Sequence, residues 1–129
     1  MRSQPEFEHQ AALIMWARNP MTRRAYPGIE LLNGSLNGVH LSKAQAGKAK
    51  AAGMLKGLPD LHLPVPRGGF VGLWIEMKYG RNKTTPEQDE RIAALRKYHH
   101  RVEVCYDWPA ARQIIIEYLT QGDLFDGRA

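Results

Sequence analysis

The segment spanning residues 57–80, GLPDLHLPVPRGGFVGLWIEMKYG, constrains what this chain can fold into more than any other stretch. Two runs rich in leucine, valine and aromatic residues, LHLPVP and FVGLWIEMKY, flank Arg67, Gly68 and Gly69, which predicts a β-hairpin whose second strand is long and largely buried. Pro64 and Pro66 cannot donate to a ladder, so the first strand is expected toward a sheet edge. The hairpin nevertheless carries charge into this apolar setting. Asp60 opens the first run, and Glu76 and Lys78 stand two residues apart in the second, hence on one face of the strand, with Met77 turned the other way.

Helix periods and end signals organise the remainder. Residues 4–18, QPEFEHQAALIMWAR, read as a helix: Ser3 with Glu6 forms a capping box, Pro5 suits the first turn, Asn19-Pro20 stops it, and Phe7, Leu13, Ile14 and Trp16 make its apolar side. AYPGIELLNGS predicts a short strand entering a turn at Asn33 and Gly34. LSKAQAGKAKAAGMLKG has the alanine and lysine content of an exposed helix ending at Gly53 or Gly57. TTPEQDERIAALRKYH predicts an amphipathic helix capped by Thr85, with Pro86 first and Ile92, Leu95 and Tyr98 along one side. RVEVCY is a short strand, DWPAARQIIIEYL a last helix opened by Asp107, and the tail TQGDLFDGRA is expected to fray. The order helix, strand, helix, hairpin, helix, strand, helix is that of an α/β sandwich, and the crossover from residue 79 to 102 lays RVEVCY parallel to LWIEMKY.

Length and charge bound the function. At 129 residues and 43% apolar composition the chain fits one domain, 1–129, with a core over about 4–120. No apolar run of about 18 residues is present, and acids stand where an export signal needs a hydrophobic stretch, so a cytoplasmic address with no membrane span is expected. A net charge of +5 and a pI near 9.6 favour anionic partners, nucleic acid first among them. The single cysteine, Cys105, excludes an internal disulfide framework and a cysteine-rich zinc site, and reads as a small buried strand residue. His9, His40, His62, His99 and His100 lack metal-ligand spacing, and Trp16, Trp74 and Trp108 read as core.

Two readings fit Asp60, Glu76 and Lys78. One is a salt bridge within or between strands. The other is a site for a hard divalent cation, since Mg²⁺ takes oxygen ligands and needs only one or two protein carboxylates. Placing a carboxylate and an ammonium inside GLWIEMKY costs several kcal/mol (~) without a compensating ligand, which favours the second. Lys78 would then orient or deprotonate an attacking water and offset charge on a phosphorane.

GLPD, followed by IEMK with Glu76 sixteen positions after Asp60, and TPEQ opening the next helix resemble the PD-(D/E)xK nuclease superfamily. The layout from about residue 6 to 119, including LPVPRGGFVGLWIEMK and RVEVCYDWPAARQIIIEYL, is similar to its VRR-NUC family. The resemblance implies a restriction-endonuclease-like α/β core, a mixed central sheet flanked by helices. It implies Mg²⁺ or Mn²⁺ on Asp60 and Glu76, Lys78 as catalytic lysine, a first-helix glutamate, a glutamine on the helix after the strand, and branched or flap-like DNA as substrate. For the glutamate, Gln10 and Leu13 share a helical face with Glu6, which is favoured, with Glu8 in reserve. Gln88 is the glutamine, although it also completes a capping box with Thr85. The family pattern PNGG is replaced here by LNGS around Asn33 and Gly34. Lys48, Lys50, Lys56, Arg67, Arg81 and Lys83 flank these motifs and suit contacts to DNA phosphates. The expectation is therefore a metal-dependent DNA endonuclease acting in a bacterial or phage-infected cell, and a homodimer if it makes paired cuts in a four-way junction. The rivals are a non-catalytic DNA-binding module on the same fold, and a superfamily nuclease of restriction or exonuclease type.

Overall fold

The computed structural model describes residues 4–35 and 41–122. Among these a single sheet organises the fold, with strands β1 (Asn33–Gly34), β2 (Leu61–Leu63), β3 (Gly72–Met77) and β4 (His100–Cys105) in the spatial order β1-β2-β3-β4. The β1–β2 and β2–β3 pairs are antiparallel, the hairpin expected around Arg67–Phe70, and β3–β4 is parallel, with Met77 opposite Cys105. The helices are α1 (Gln4–Arg18), α2 (Pro20–Ala25), α3 (Lys43–Ala51), α4 (Pro86–Lys97) and α5 (Trp108–Leu119). The fold is thus mixed α/β, a four-stranded sheet flanked by helices.

Strand alternation sends Leu61, Leu63, Leu73, Ile75, Met77 and Cys105 into one cluster with Leu13 and Ala17 of α1 and Ala111, Ile115 and Tyr118 of α5. Each large apolar side chain buried there contributes roughly 1.5–3 kcal/mol. Tyr118 joins them because its hydroxyl donates to the Val65 carbonyl at 2.6 Å; the buried phenol is pushed above its usual pKa. Helix α4 packs along β4, burying Ile92, and Arg96 donates to the Val102 carbonyl at 2.8 Å. The caps follow the residues. Thr85 and Gln88 form a capping box on α4, Ser42 and Gln45 do so on α3, and Asp107 accepts from the Ala110 amide on α5.

Several expectations are corrected. Asn19-Pro20 ends α1 at Arg18 as expected, but a second short helix not read from the sequence follows at once: Asn19 caps α2, with Pro20 at its first position, where a missing N–H costs nothing. The strand expected in AYPGIELLNGS is a 3₁₀ turn at Ile29–Leu31, and only Asn33 and Gly34 themselves pair. Strand β2 is not an edge, because β1 covers its outer side; Pro64 and Pro66 fall just beyond the paired residues. Phe7 and Tyr98 face solvent, 57% and 66% exposed. On α1 the inward stripe is Glu6, Leu13 and Ala17, with Gln10 half-buried between, a spacing of four, three and four that leaves Phe7 outside. Trp16, Trp74 and Trp108 are half-buried rather than core. The Ser3 cap, His40 and the expected frayed tail lie at or reach into positions outside the described residues.

Candidate active site

The charged residues of the hairpin gather where β2 begins and β3 ends. Leu61 pairs with Ile75, so the residue before the one meets the residue after the other, placing Asp60 across from Glu76. Backbone bonds pin this end. Ser35 N–H donates to the Asp60 carbonyl at 2.7 Å and Lys78 N–H to the Cys105 carbonyl at 2.9 Å, while Asp60 Oδ2 accepts from Met77 N–H at 2.8 Å. Lys78 Nζ lies 3.9 Å from Glu76 Oε2, and Gln88 Nε2 donates to the same oxygen at 3.3 Å. Gln88 makes two contacts at once: Oε1 accepts from the Thr85 amide at 2.9 Å as a helix cap, and Nε2 donates to Glu76.

Helix α1 carries a further buried carboxylate. Glu6 is buried, Glu8 is exposed, and Glu6 Oε1 accepts from Asn82 Nδ2 at 3.3 Å. Asn82 is itself held by Tyr106, whose hydroxyl donates to the Asn82 carbonyl at 3.0 Å. Gln10 packs over Gly34: a Cβ there would stand 3.0 Å from Gln10 Nε2 and 3.6 Å from the Asp60 carbonyl, so a side chain at this point would have to push the end of Gln10 aside. Glu6 (5% exposed), Asp60 (3%), Glu76 (3%) and Lys78 (8%) are the buried charged side chains of the described residues. The thiol of Cys105, behind this end, is pushed up to about 12 by burial and then by Glu103 and Asp107, so it stays protonated and inert.

A family model for the VRR-NUC domain matches residues 7–108, and a solved structure of a "VRR_NUC domain protein" superposes with a TM-score of 0.73 at 30% identity, over 95% of this chain and 94% of that one. This chain belongs to the VRR-NUC family. No curated protein matches it significantly. Membership makes it a nuclease-type domain with DNA as the class of partner, in a family generally dependent on a divalent metal.

The residues this VRR-NUC domain presents fit such an ion. The donors are carboxylate oxygens, which suit Mg²⁺ or Mn²⁺ over a thiophilic metal. Among the described residues no three His, Cys, Asp or Glu side chains enclose a metal position. The described side chains therefore do not bring Glu6 together with Asp60 and Glu76 around one metal position.

Of the basic residues singled out in the sequence, Arg81 and Lys83 are exposed on the loop that leads from Lys78 through Asn82. Lys48 and Lys50 are exposed on α3, and Lys56 pairs with Glu87 at 3.2 Å. Arg67 is not brought in: it sits at the hairpin turn, the opposite end of β2 and β3 from Asp60 and Glu76, with a guanidinium nitrogen bonded to the Pro66 carbonyl. Sequence reasoning missed Asn82, Tyr106 and Arg91. Arg91 had a signal, since it follows Gln88 by three residues and so shares its side of α4. Asn82 had none, because its partner is 76 residues away.

Proposed function

We propose that this VRR-NUC domain is a divalent-metal-dependent DNA endonuclease that hydrolyses phosphodiester bonds and prefers branched DNA such as flaps and four-way junctions. The observation that carries the reading is the buried group of Asp60, Glu76 and Lys78 at one sheet end, with Gln88 bonded to Glu76. A non-catalytic DNA binder has no use for buried carboxylates beside a phosphate path. Asp60 and Glu76 would hold Mg²⁺ or Mn²⁺, with Glu6 on the outer side. When bound, the ion supplies Lewis-acid polarisation of the scissile phosphate and a more acidic water.

The chain's own groups do the remainder. The Lys78 ammonium orients the attacking water in line with the leaving oxygen and offsets the charge that accumulates as the water oxygen bonds to phosphorus, its proton passes to bulk water, and the P–O bond opposite breaks with the leaving oxygen taking a proton from solvent. Gln88 fixes the Glu76 carboxylate, and Asn82 fixes Glu6. Lysines 48, 50 and 83 and Arg81 suit flanking phosphates, contacts that carry register and DNA shape rather than base sequence. One such centre cuts one strand, so symmetric cutting of a four-way junction calls for a twofold pair of chains.

Labelled linear, nicked, flap and four-way DNAs incubated with Mg²⁺, Mn²⁺ or EDTA test this. Metal-dependent internal cuts near branch points are expected. Failure to cut any of them with either ion would overturn the nuclease reading, equal cutting of linear duplex the branch preference, and a monomer by light scattering at working concentration the paired cut.

A further inference from the structure

A cavity of about 360 Å³ lies apart from the carboxylates, between α3, the turn that follows it and α4. Its floor is apolar, Leu41, Met54 and Leu55, and its rim carries three cations, Lys50, Lys56 and Arg91. This is a built recess rather than a gap between loose loops. Gly57 adopts φ +88°, and a Cβ on it would come within 2.8 Å of the Glu87 carbonyl oxygen, so the turn seats directly on α4. Arg91 Nε donates to the Lys56 carbonyl at 3.0 Å, and Lys56 pairs with Glu87 at 3.2 Å, which ties the same two segments together.

The recess adjoins the site by two routes. Along the chain, Gly57 is three residues from Asp60; along α4, Arg91 is one turn beyond Gln88, which holds Glu76. Helix α3 buries no residue of its own, so the core does not explain why it stands there. An apolar floor under a cationic rim is complementary to a flat, weakly polar ring joined to an anion, and its volume is within the range of small-ligand pockets. A paired base, stacked on both sides, cannot enter it; an unstacked one can, at a cost that is least where the DNA is already unpaired.

We propose that this cavity takes one unpaired nucleotide of the DNA next to the cut, its base against Leu41, Met54 and Leu55 and its phosphate at Lys50 and Arg91. The proposal rests on the nuclease reading and gives a preference for flaps a physical cause, because a flap offers such a nucleotide beside duplex and intact linear duplex does not.

The test is a flap DNA carrying one abasic site, moved nucleotide by nucleotide across the branch point. Binding is read by fluorescence anisotropy in Ca²⁺, and cleavage of the intact flap in Mn²⁺. In the unaltered protein one position is expected to weaken binding about tenfold and its neighbours far less. Ala46 lines the cavity from the exposed surface of α3, so Ala46→Phe fills it without touching the core. That variant should bind the intact flap about tenfold more weakly and lose the position dependence, since the base has nowhere to go; Lys50→Glu should weaken binding further than salt screening alone accounts for. Cleavage together with a flat abasic scan, or an unchanged scan in Ala46→Phe, overturns the pocket and leaves the nuclease reading standing. A position-specific scan with no cleavage removes the nuclease reading and keeps the pocket, and no DNA binding at all removes both.

Discussion

Replacing Lys78 by methionine keeps an unbranched side chain, one atom shorter, and removes its charge, and the consequences for stability, metal affinity and cutting differ in sign. The ammonium lies 3.9 Å from Glu76 Oε2 with both groups buried, an attraction of about 4 kcal/mol at the effective dielectric of roughly 20 that describes such pairs. Much of this offsets desolvation, but removing one partner leaves the other in the interior, so a loss of about 3 kcal/mol in EDTA is expected. The bound cation should respond in the opposite direction. A dication held by Glu76 through Oε2 would lie no more than about 6 Å from Nζ, the 3.9 Å pair distance plus a metal–oxygen bond of about 2.1 Å. Even at the dielectric of water the repulsion is then about 1.4 kcal/mol. Lys78→Met should therefore bind Mn²⁺ at least about tenfold more tightly than the unaltered protein while cutting is lost. Urea denaturation in EDTA and in Mn²⁺, Mn²⁺ titration calorimetry and cleavage of a flap substrate measure the three effects. Weaker Mn²⁺ binding in the variant, or undiminished cutting, would refute the placement of Lys78 beside the ion.

Three further outcomes follow from the same geometry. Glu6→Gln should lower Mn²⁺ affinity or cleavage about 10- to 100-fold, while Glu8→Gln, altering an exposed side chain, should do neither; equal effects would show that α1 presents the wrong face. Gly57→Ala should cost roughly 2–3 kcal/mol, left-handed strain plus overlap with the Glu87 backbone. Gly53→Ala, at φ +105° with open space around it, should cost only about 1–2 kcal/mol of strain, and matching melting temperatures for the two would be the contrary result. Burial holds His100 below its ordinary pKa of 6.5, and its Nδ1 must stay unprotonated to accept the Trp74 indole N–H at 3.2 Å. The unfolded chain then binds a proton the folded one resists, so this stability is complete above about pH 6.5 and is lost as pH falls through the folded value. Urea midpoints from about pH 7.5 to 5.5 should fall less steeply in His100→Gln, and identical slopes would exclude the effect.

Local chemistry wrote much of this protein plainly into its sequence. The stop of α1 before Asn19-Pro20, the ends of α4, the end of α3 before Gly53, one of the two glycines offered for it, the hairpin about Arg67–Phe70 and the parallel return to β4 all rest on caps, turn glycines and strand periods that act within a few residues. The same short-range logic set Glu76 and Lys78 on one strand face. Which side of α1 turns inward was a different matter, because Phe7 is the more apolar residue and Glu6 the buried one. Docking decided it: the stripe of Leu13 and Ala17 meets the sheet, and Glu6 is carried in by the helical period. The bond from Asn82 to Glu6, the cover that β1 gives β2, the distance of Arg67 from the carboxylates and the recess under Arg91 likewise join segments far apart in the chain. Residue type and spacing select the local conformation, but contacts between distant segments exist only once the elements have packed, and that packing minimises buried charge and unfilled volume for the molecule as a whole.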